Sequence, residues 1–330
     1  MSLLKKSLLV VSAIALMSGS ALADFPDRKV QVVYPWAAGT PTYGVSQLIA
    51  EAMSKQLGQA MPVVAKPGAN GVLAMKSFLD EPADGYTIMD GYVAPLVISP
   101  IFGKADWTCA DFTPLYAATA NGFAIAMRPD ETRWSDFPSF IEYLKANPAK
   151  TAYNGSGTSL PHLIAASVMQ KMDTVSRAVP YDDLALGVKD LRNGILDWII
   201  INPGVYEANK DQLKVLMTLS DTEDASETYG GAPRPSDFGL DIGVTGLAPA
   251  GWDWWLVRSD TPADRVEVLR NAMKSAMTDP EVLKSIKAVG FQPLGYAPDE
   301  YLQTCDSVRS QLESGVKAVE WETKAIRAAN

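Results

Sequence analysis

Histidine and cysteine are nearly absent. The 330 residues hold one His, His162, and two Cys, Cys109 and Cys305. So few soft ligands exclude haem, an iron–sulfur cluster or a structural zinc site, and no metal or cofactor is expected. Positive charge is scarce as well: 29 Lys and Arg stand against 38 Asp and Glu, a net charge of −9. A surface of that sign does not hold a phosphate backbone, so nucleic acid is excluded as a partner. No internal repeat and no charge block are visible, and the 24 Gly and 22 Pro are scattered rather than periodic, which excludes a collagen-like chain. Beyond the first residues, no stretch is long and apolar enough to cross a bilayer.

Large aromatic side chains are plentiful: eight Trp, twelve Tyr and nine Phe, in a chain that is 47% hydrophobic. These need burial, and the length allows about two domains. Residues 1–23 read as a secretory signal peptide, with Lys5 and Lys6 before an apolar run from Leu8 to Met17 and an Ala21-Leu22-Ala23 cleavage site. Cleavage removes two Lys and no acid, taking the net charge from −9 to −11. The mature protein is therefore expected in the periplasm. In that oxidising compartment Cys109 and Cys305 can form one disulfide or remain as two buried thiols.

Strand and helix patterns alternate through the mature chain. Lys29–Tyr34, Met61–Ala65 and Tyr86–Met89 read as strands, separated by helical spacing over Gly44–Leu57 and Val72–Leu79. A second alternating set runs from Gly122 to Leu219. Thr222 to Gly239 reads as a polar surface loop, and Pro262 to Ala329 as mostly helix. In Gly251-Trp252-Asp253-Trp254-Trp255, strand alternation sets Trp252 and Trp254 on one face and Trp255 on the other. The order predicts an α/β fold with parallel strands covered by helices.

Ligand sites in such sheets lie in loops at the carboxyl ends of the strands. Three loops stand out. Trp36 to Tyr43 leads into a helix whose free backbone N–H groups can take a carboxylate. Asn154 to His162 offers hydroxyls at a helix start, where Thr158 or Ser159 can cap and Pro161 suits the first turn. It lacks the Gly-Lys-Ser/Thr of a phosphate loop and is no Gly-x-Ser-x-Gly elbow. Val179-Pro180-Tyr181-Asp182-Asp183 offers a phenol and paired acids, which also suit a solvated helix start. A hydrolase would have to use His162 as base for Ser156 or Ser159. A sensory ligand-binding protein is a further alternative.

Together these residues carry a resemblance. Phe25-Pro26-Asp27-Arg28-Lys29-Val30, Pro35-Trp36-Ala37-Ala38-Gly39, Pro67-Gly68-Ala69-Asn70-Gly71, Asp84-Gly85-Tyr86-Thr87-Ile88, Asp111-Phe112-Thr113-Pro114, Gly155-Ser156-Gly157-Thr158 with His162, Val179-Pro180-Tyr181 and Gly194-Ile195-Leu196-Asp197 occur in this order. The chain resembles the substrate-binding receptors of tripartite tricarboxylate transporters, the Bug or TctC family of periplasmic solute-binding proteins. The resemblance implies a two-lobed α/β Venus flytrap of type II-like topology, with two crossover strands between lobes. Lobe 1 would comprise residues 24–123 plus 248–330, and lobe 2 residues 124–247. It implies a receptor, not an enzyme, that captures a small carboxylate in the interlobe cleft and delivers it to membrane permease subunits. Carried onto this sequence, its ligand contacts are Trp36, Ala38, Gly39, Thr40 and Tyr43 in the first loop. Ser156, Gly157, Thr158, Ser159, His162 and Tyr181 follow in the second lobe, with Tyr92 and Asn202 at strand ends facing the cleft. Departures from the family pattern are Thr40 for a Gly, Tyr43 for an Asp, and Asp182-Asp183 for a basic-Gly pair. The ring of Tyr43 and the acidity of the chain point to an apolar or aromatic carboxylate.

Overall fold

The computed structural model describes residues 25–181 and 183–329; the expected signal peptide and Asp182 lie outside them. The first lobe runs β1 (Gln31–Tyr34), α1 (Pro41–Leu57), β2 (Val63–Ala65), α2 (Val72–Leu79), β3 (Thr87–Tyr92), α3 (Ser99–Ile101) and β4 (Phe112–Ala117). The chain crosses through β5 (Thr119–Ala120) into β6 (Ala124–Met127), α4 (Phe137–Ala146), β7 (Ala152–Asn154), α5 (Leu160–Lys171) and β8 (Arg177–Val179). The second lobe continues through α6 (Leu186–Arg192), β9 (Ile199–Ile201), α7 (Pro203–Ala208), β10 (Lys214–Thr218) and α8 (Glu223–Thr228). The chain then returns as β11 (Asp253–Arg258), α9 (Ala263–Ala276), α10 (Pro280–Ala288), β12 (Gln292–Pro293) and α11 (Tyr301–Ala329).

The first sheet has the order β2-β1-β3-β11-β4, with β1 parallel to β2 and β3 and β11 antiparallel to both neighbours. The second lobe repeats the scheme in two pieces, β10-β6-β9 and β7-β8. A side chain joins them: Asn154 Oδ1 accepts from Ile200 N at 2.6 Å and its Nδ2 donates to Ile200 O at 2.9 Å. Asp197 N also donates to Ala152 O at 2.9 Å. The amide of Asn154 thus takes the place of a strand ladder, and the layer reads β8-β7-β9-β6-β10, the first-lobe pattern again.

The tryptophans divide as alternation predicts. Trp252 and Trp254 lie in one apolar cluster and Trp255 in another, on the far face of the first sheet with α1 and α9. Sequence reading misses β4, because Pro114 sits inside it; β4 is the edge of its sheet, where a missing N–H is tolerated. The stretch expected as a plain loop contains α8, capped by Thr222, whose Oγ1 accepts from Ala225 N at 3.3 Å.

Two strands of chain connect the lobes side by side. Asn121 N donates to Gly251 O at 3.2 Å and Gly251 N to Asn121 O at 2.8 Å. A Cβ on Gly251 would lie 2.3 Å from Asn121 Oδ1 and 2.9 Å from Phe123 Cζ, so any larger residue would push these side chains aside at the crossing. The last helix does not keep to one lobe. Near its start, Tyr301 packs on Trp254 with ring centroids 5.1 Å apart, and Cys305 is bonded to Cys109. Farther along, Gly315 lies against Leu163 of α5, and the buried Glu322 carboxylate accepts from Tyr153 Oη at 2.7 Å.

Candidate functional site

A cavity of about 120 Å³ lies between the lobes. From the first lobe it is lined by Trp36 at the end of β1, Thr42 in the first turn of α1, Asn70, and Tyr92 with the residues after it. The crossing segments add Asn121, Phe123 and Gly251; the second lobe adds Asn154–Ser156, Ser159–Pro161, Tyr181, Asp183, Leu184 and Asn202.

The rings form one wall. Trp36 and Tyr92 pack edge to face with centroids 5.8 Å apart, and Tyr34 supports Tyr92 from behind at 6.1 Å. The polar wall is mostly amide and hydroxyl. Asn202 caps α7 by accepting from Val205 N at 2.9 Å, which leaves its NH₂ for the cavity. Ser159 is the N-cap residue of α5, yet its side chain makes no cap hydrogen bond. Its hydroxyl and the first-turn N–H groups of Leu160 and His162, Pro161 having none, therefore form an anion-receptive end of a 12-residue helix. Asn121 is 5% exposed and its Oδ1 has no partner. Tyr181 Oη donates to Asp190 at 2.5 Å; burial, then this carboxylate, pushes its phenol up to about 12.

Residues of the two lobes also touch each other across the cavity. Asn70 Nδ2 donates to Ser156 Oγ at 3.3 Å and also to Thr158 Oγ1. Gly204 of α7 lies so close to Pro41 that a Cβ there would sit 2.2 Å from the proline Cβ. Under the floor, Asp90 and Asp253 stand on neighbouring strands, both fully enclosed. Ser46 Oγ donates to Asp90, and Thr119 donates to Asp253 through N at 3.0 Å and Oγ1 at 2.6 Å. Burial, and then the charge of Asp253, holds the Asp90 carboxyl well above the usual carboxylate range.

Of the residues proposed from sequence, Trp36, Tyr92, Ser156, Ser159, Tyr181 and Asn202 are brought to the cavity. The others are placed elsewhere. Ala38 and Gly39 are exposed at the tip of the first loop, and Gly157 is exposed at the tip of the second. Thr40 caps α1, accepting from Tyr43 N at 3.3 Å, so α1 starts three residues earlier than its apolar spacing implies. Tyr43 therefore lies on the helix; its Oη donates to Val63 O at 3.0 Å and its ring packs on Tyr34. Thr158 meets Asn70. His162 is buried, with Nε2 2.7 Å from Glu322 Oε2 and Nδ1 unpartnered. Neither ring nitrogen meets Ser156 or Ser159, so the hydrolase set is not assembled.

Sequence reading missed Thr42, Asn70, Asn121 and Phe123. Asn70 carried a signal, standing in the Pro67-Gly68-Ala69-Asn70-Gly71 turn on which the resemblance partly rests. Asn121 and Phe123 carried none, because only the crossing of distant segments brings them to the cleft.

Known proteins share this architecture. The tripartite tricarboxylate transporter family receptor model matches residues 45–314. The UPF0065 protein in the gbd 5′ region of Cupriavidus necator is 27% identical over 295 residues, covering 88% of this chain and 87% of the other. A solved periplasmic transporter is 26% identical with a TM-score of 0.77, covering 89% of this chain and 97% of that one. An R. palustris protein solved with adipate is 20% identical with a TM-score of 0.79, covering 90% and 99%. Two lobes joined by paired crossings, a cleft of rings and amides, and a family match over most of the length converge: the chain belongs to the receptor family of tripartite tricarboxylate transporters, the periplasmic solute-binding proteins of the Bug or TctC type.

Proposed function

We propose that this receptor captures a small monocarboxylate with an apolar or aromatic body in the interlobe cavity and hands it to the membrane permease subunits of its transporter. One observation carries the reading. The cavity pairs the uncapped start of α5, where Ser159 leaves its hydroxyl and the helix its first N–H groups, with a wall of Trp36, Tyr92 and Phe123. The helix end favours an anion without any cationic side chain, and the rings favour an apolar body. That a related protein was solved with adipate supports a carboxylate, and the small volume supports a small one. Residues 1–23 supply the export signal of this scheme.

A thermal-shift screen against carboxylic acids tests the reading, since a ligand that binds only the native state raises the melting point. Pentanoate or 3-phenylpropanoate should raise it, and Ser159→Ala should reduce the shift. Loss of one charge-assisted hydrogen bond weakens binding by roughly tenfold or more. No response to any acid would sink the proposal.

A further inference from the structure

The floor of the cleft is built on two acids. Asp90 of β3 and Asp253 of β11 stand on the same face of the sheet and are 0% and 2% exposed. Their carboxyls lie within hydrogen-bond reach of each other. Two ionised carboxylates have no hydrogen to share, so a bond between them needs one proton. The surrounding donors decide which acid carries it. Asp253 Oδ1 takes two, from Thr119 N and Thr119 Oγ1, and this holds it as the anion. Asp90 Oδ2 takes one, from Ser46 Oγ, and among the described residues its Oδ1 has none. Asp90 is therefore the carboxylic acid of the pair.

The pair adjoins both the cavity and the crossing between lobes. Toward the cavity, Ser46 Oγ also lies 3.2 Å from the carbonyl of Thr42, which lines the cavity one turn earlier in α1. Tyr92, opposite Asp253 in the ladder, lines it as well. Toward the crossing, Thr119 lies in β5, and Ala118 N donates to Asp253 O at 3.0 Å. The other titratable groups facing the pair are the phenols of Tyr34 and Tyr92, both raised by burial above all and so neutral. Asp183 of the second lobe adds to the effect on Tyr34. Helix α9 packs on the same side of the sheet, but its Arg270 is turned to Pro114 O at 2.8 Å. Among the described residues no Lys, Arg or His offsets the two acids. An anion in the cavity thus meets one negative charge beneath it while Asp90 keeps its proton, and two once that proton leaves.

We propose that the receptor binds its anion together with a proton: Asp90 and Asp253 hold one proton between them beneath the cleft, and its loss to solvent weakens the hold on the ligand. This rests on the reading of the cleft as a carboxylate site and adds a regulator to it.

Titration calorimetry from pH 6 to pH 9 tests it with pentanoate, 3-phenylpropanoate and benzoate, which are ionised throughout that range. An acid that binds should lose affinity by about tenfold or more as pH rises. Its binding heat, compared between buffers of different ionisation enthalpy, should reveal net proton uptake. Asp90→Asn should bind with a flat pH profile and no uptake; His162 is present in both proteins, so its titration cancels. Two further variants should move the midpoint of the profile in opposite directions. Ser46→Ala removes a donor from Asp90 and should raise it; Asp253→Asn removes the neighbouring charge and should lower it. A merely misfolded protein cannot produce opposed shifts. Affinity independent of pH in the parent, or a profile unchanged in Asp90→Asn, overturns the proton link while leaving a carboxylate receptor standing. If none of the three acids binds at any pH, both readings fall.

Discussion

Asp90 and Asp253 lie under the cleft floor within reach of each other and, among the described residues, of no cation. Desolvation favours the neutral form of each carboxyl, and two adjacent negative charges favour it further. The folded chain therefore keeps a proton on Asp90 that the unfolded chain, with an ordinary value of 3.8, has already released. With the folded value raised, stability from this group is greatest below the unfolded value and is lost as pH rises from there through the folded value. Asp90→Asn removes the burden of ionisation. Melting followed from pH 4 to pH 8 should show the variant gaining on the parent as pH increases. A gap that stays constant would mean that Asp90 does not titrate with folding. A separate residue-scale prediction concerns Gly204. Alanine there suits α7 but collides with Pro41, so Gly204→Ala should leave the melting point near that of the parent while weakening ligand binding about tenfold or more. Undiminished affinity, read by calorimetry, would show that the contact with Pro41 is not needed for closure.

At the scale of elements, most of the fold could be read from the chain, because burial on two-faced strands and one-faced helices leaves periodic marks. Val32, Val33 and Tyr34 mark β1, and Val45, Ile49 and Met53 mark α1. What escaped was set by tertiary context. β4 carries Pro114 because it is an edge, and α8 begins on Thr222 amid prolines and glycines that hide a short capped helix. The site was legible where a loop led directly into a helix and illegible where a cap changed the phase: Thr40 starts α1 early and turns Tyr43 onto Tyr34 and Val63, away from the cavity. His162 likewise answers to an element far along the chain, the Glu322 turn of α11. Helix α11 also carries a prediction. The Cys109–Cys305 bond closes a loop across a separation of 196 residues. Its removal by Cys305→Ser, with Cys109→Ser to avoid a stray thiol, should lower stability by roughly 2–4 kcal/mol in denaturant unfolding. A change below about 0.5 kcal/mol would show that the packing of Tyr301 and Val308 alone secures the helix start.

At the scale of the molecule, ligand that bridges both lobes should shift the population toward the closed arrangement held by Asn70 with Ser156 and by Pro41 with Gly204. Small-angle scattering on the apo protein should give a larger radius of gyration than on the protein saturated with a tight-binding acid. Asn70→Ala should enlarge the apo value or lower affinity. An identical radius with and without ligand would count against a hinge.

Helix α11 has a consequence for how the molecule comes apart. One apolar cluster contains Trp254 and Tyr301 of the first lobe together with Tyr153, Leu163 and Trp198 of the second, and α11 threads it from Cys305 to the turn that holds Glu322. Neither lobe can lose its interior without exposing part of the other's. Differential scanning calorimetry should therefore record a single cooperative endotherm, with calorimetric and van 't Hoff enthalpies in agreement, where two independently folding lobes would give two. Swapping Glu322 for Ala strands Tyr153 and His162 in that shared interior, and the endotherm should then split or broaden as the second lobe melts first.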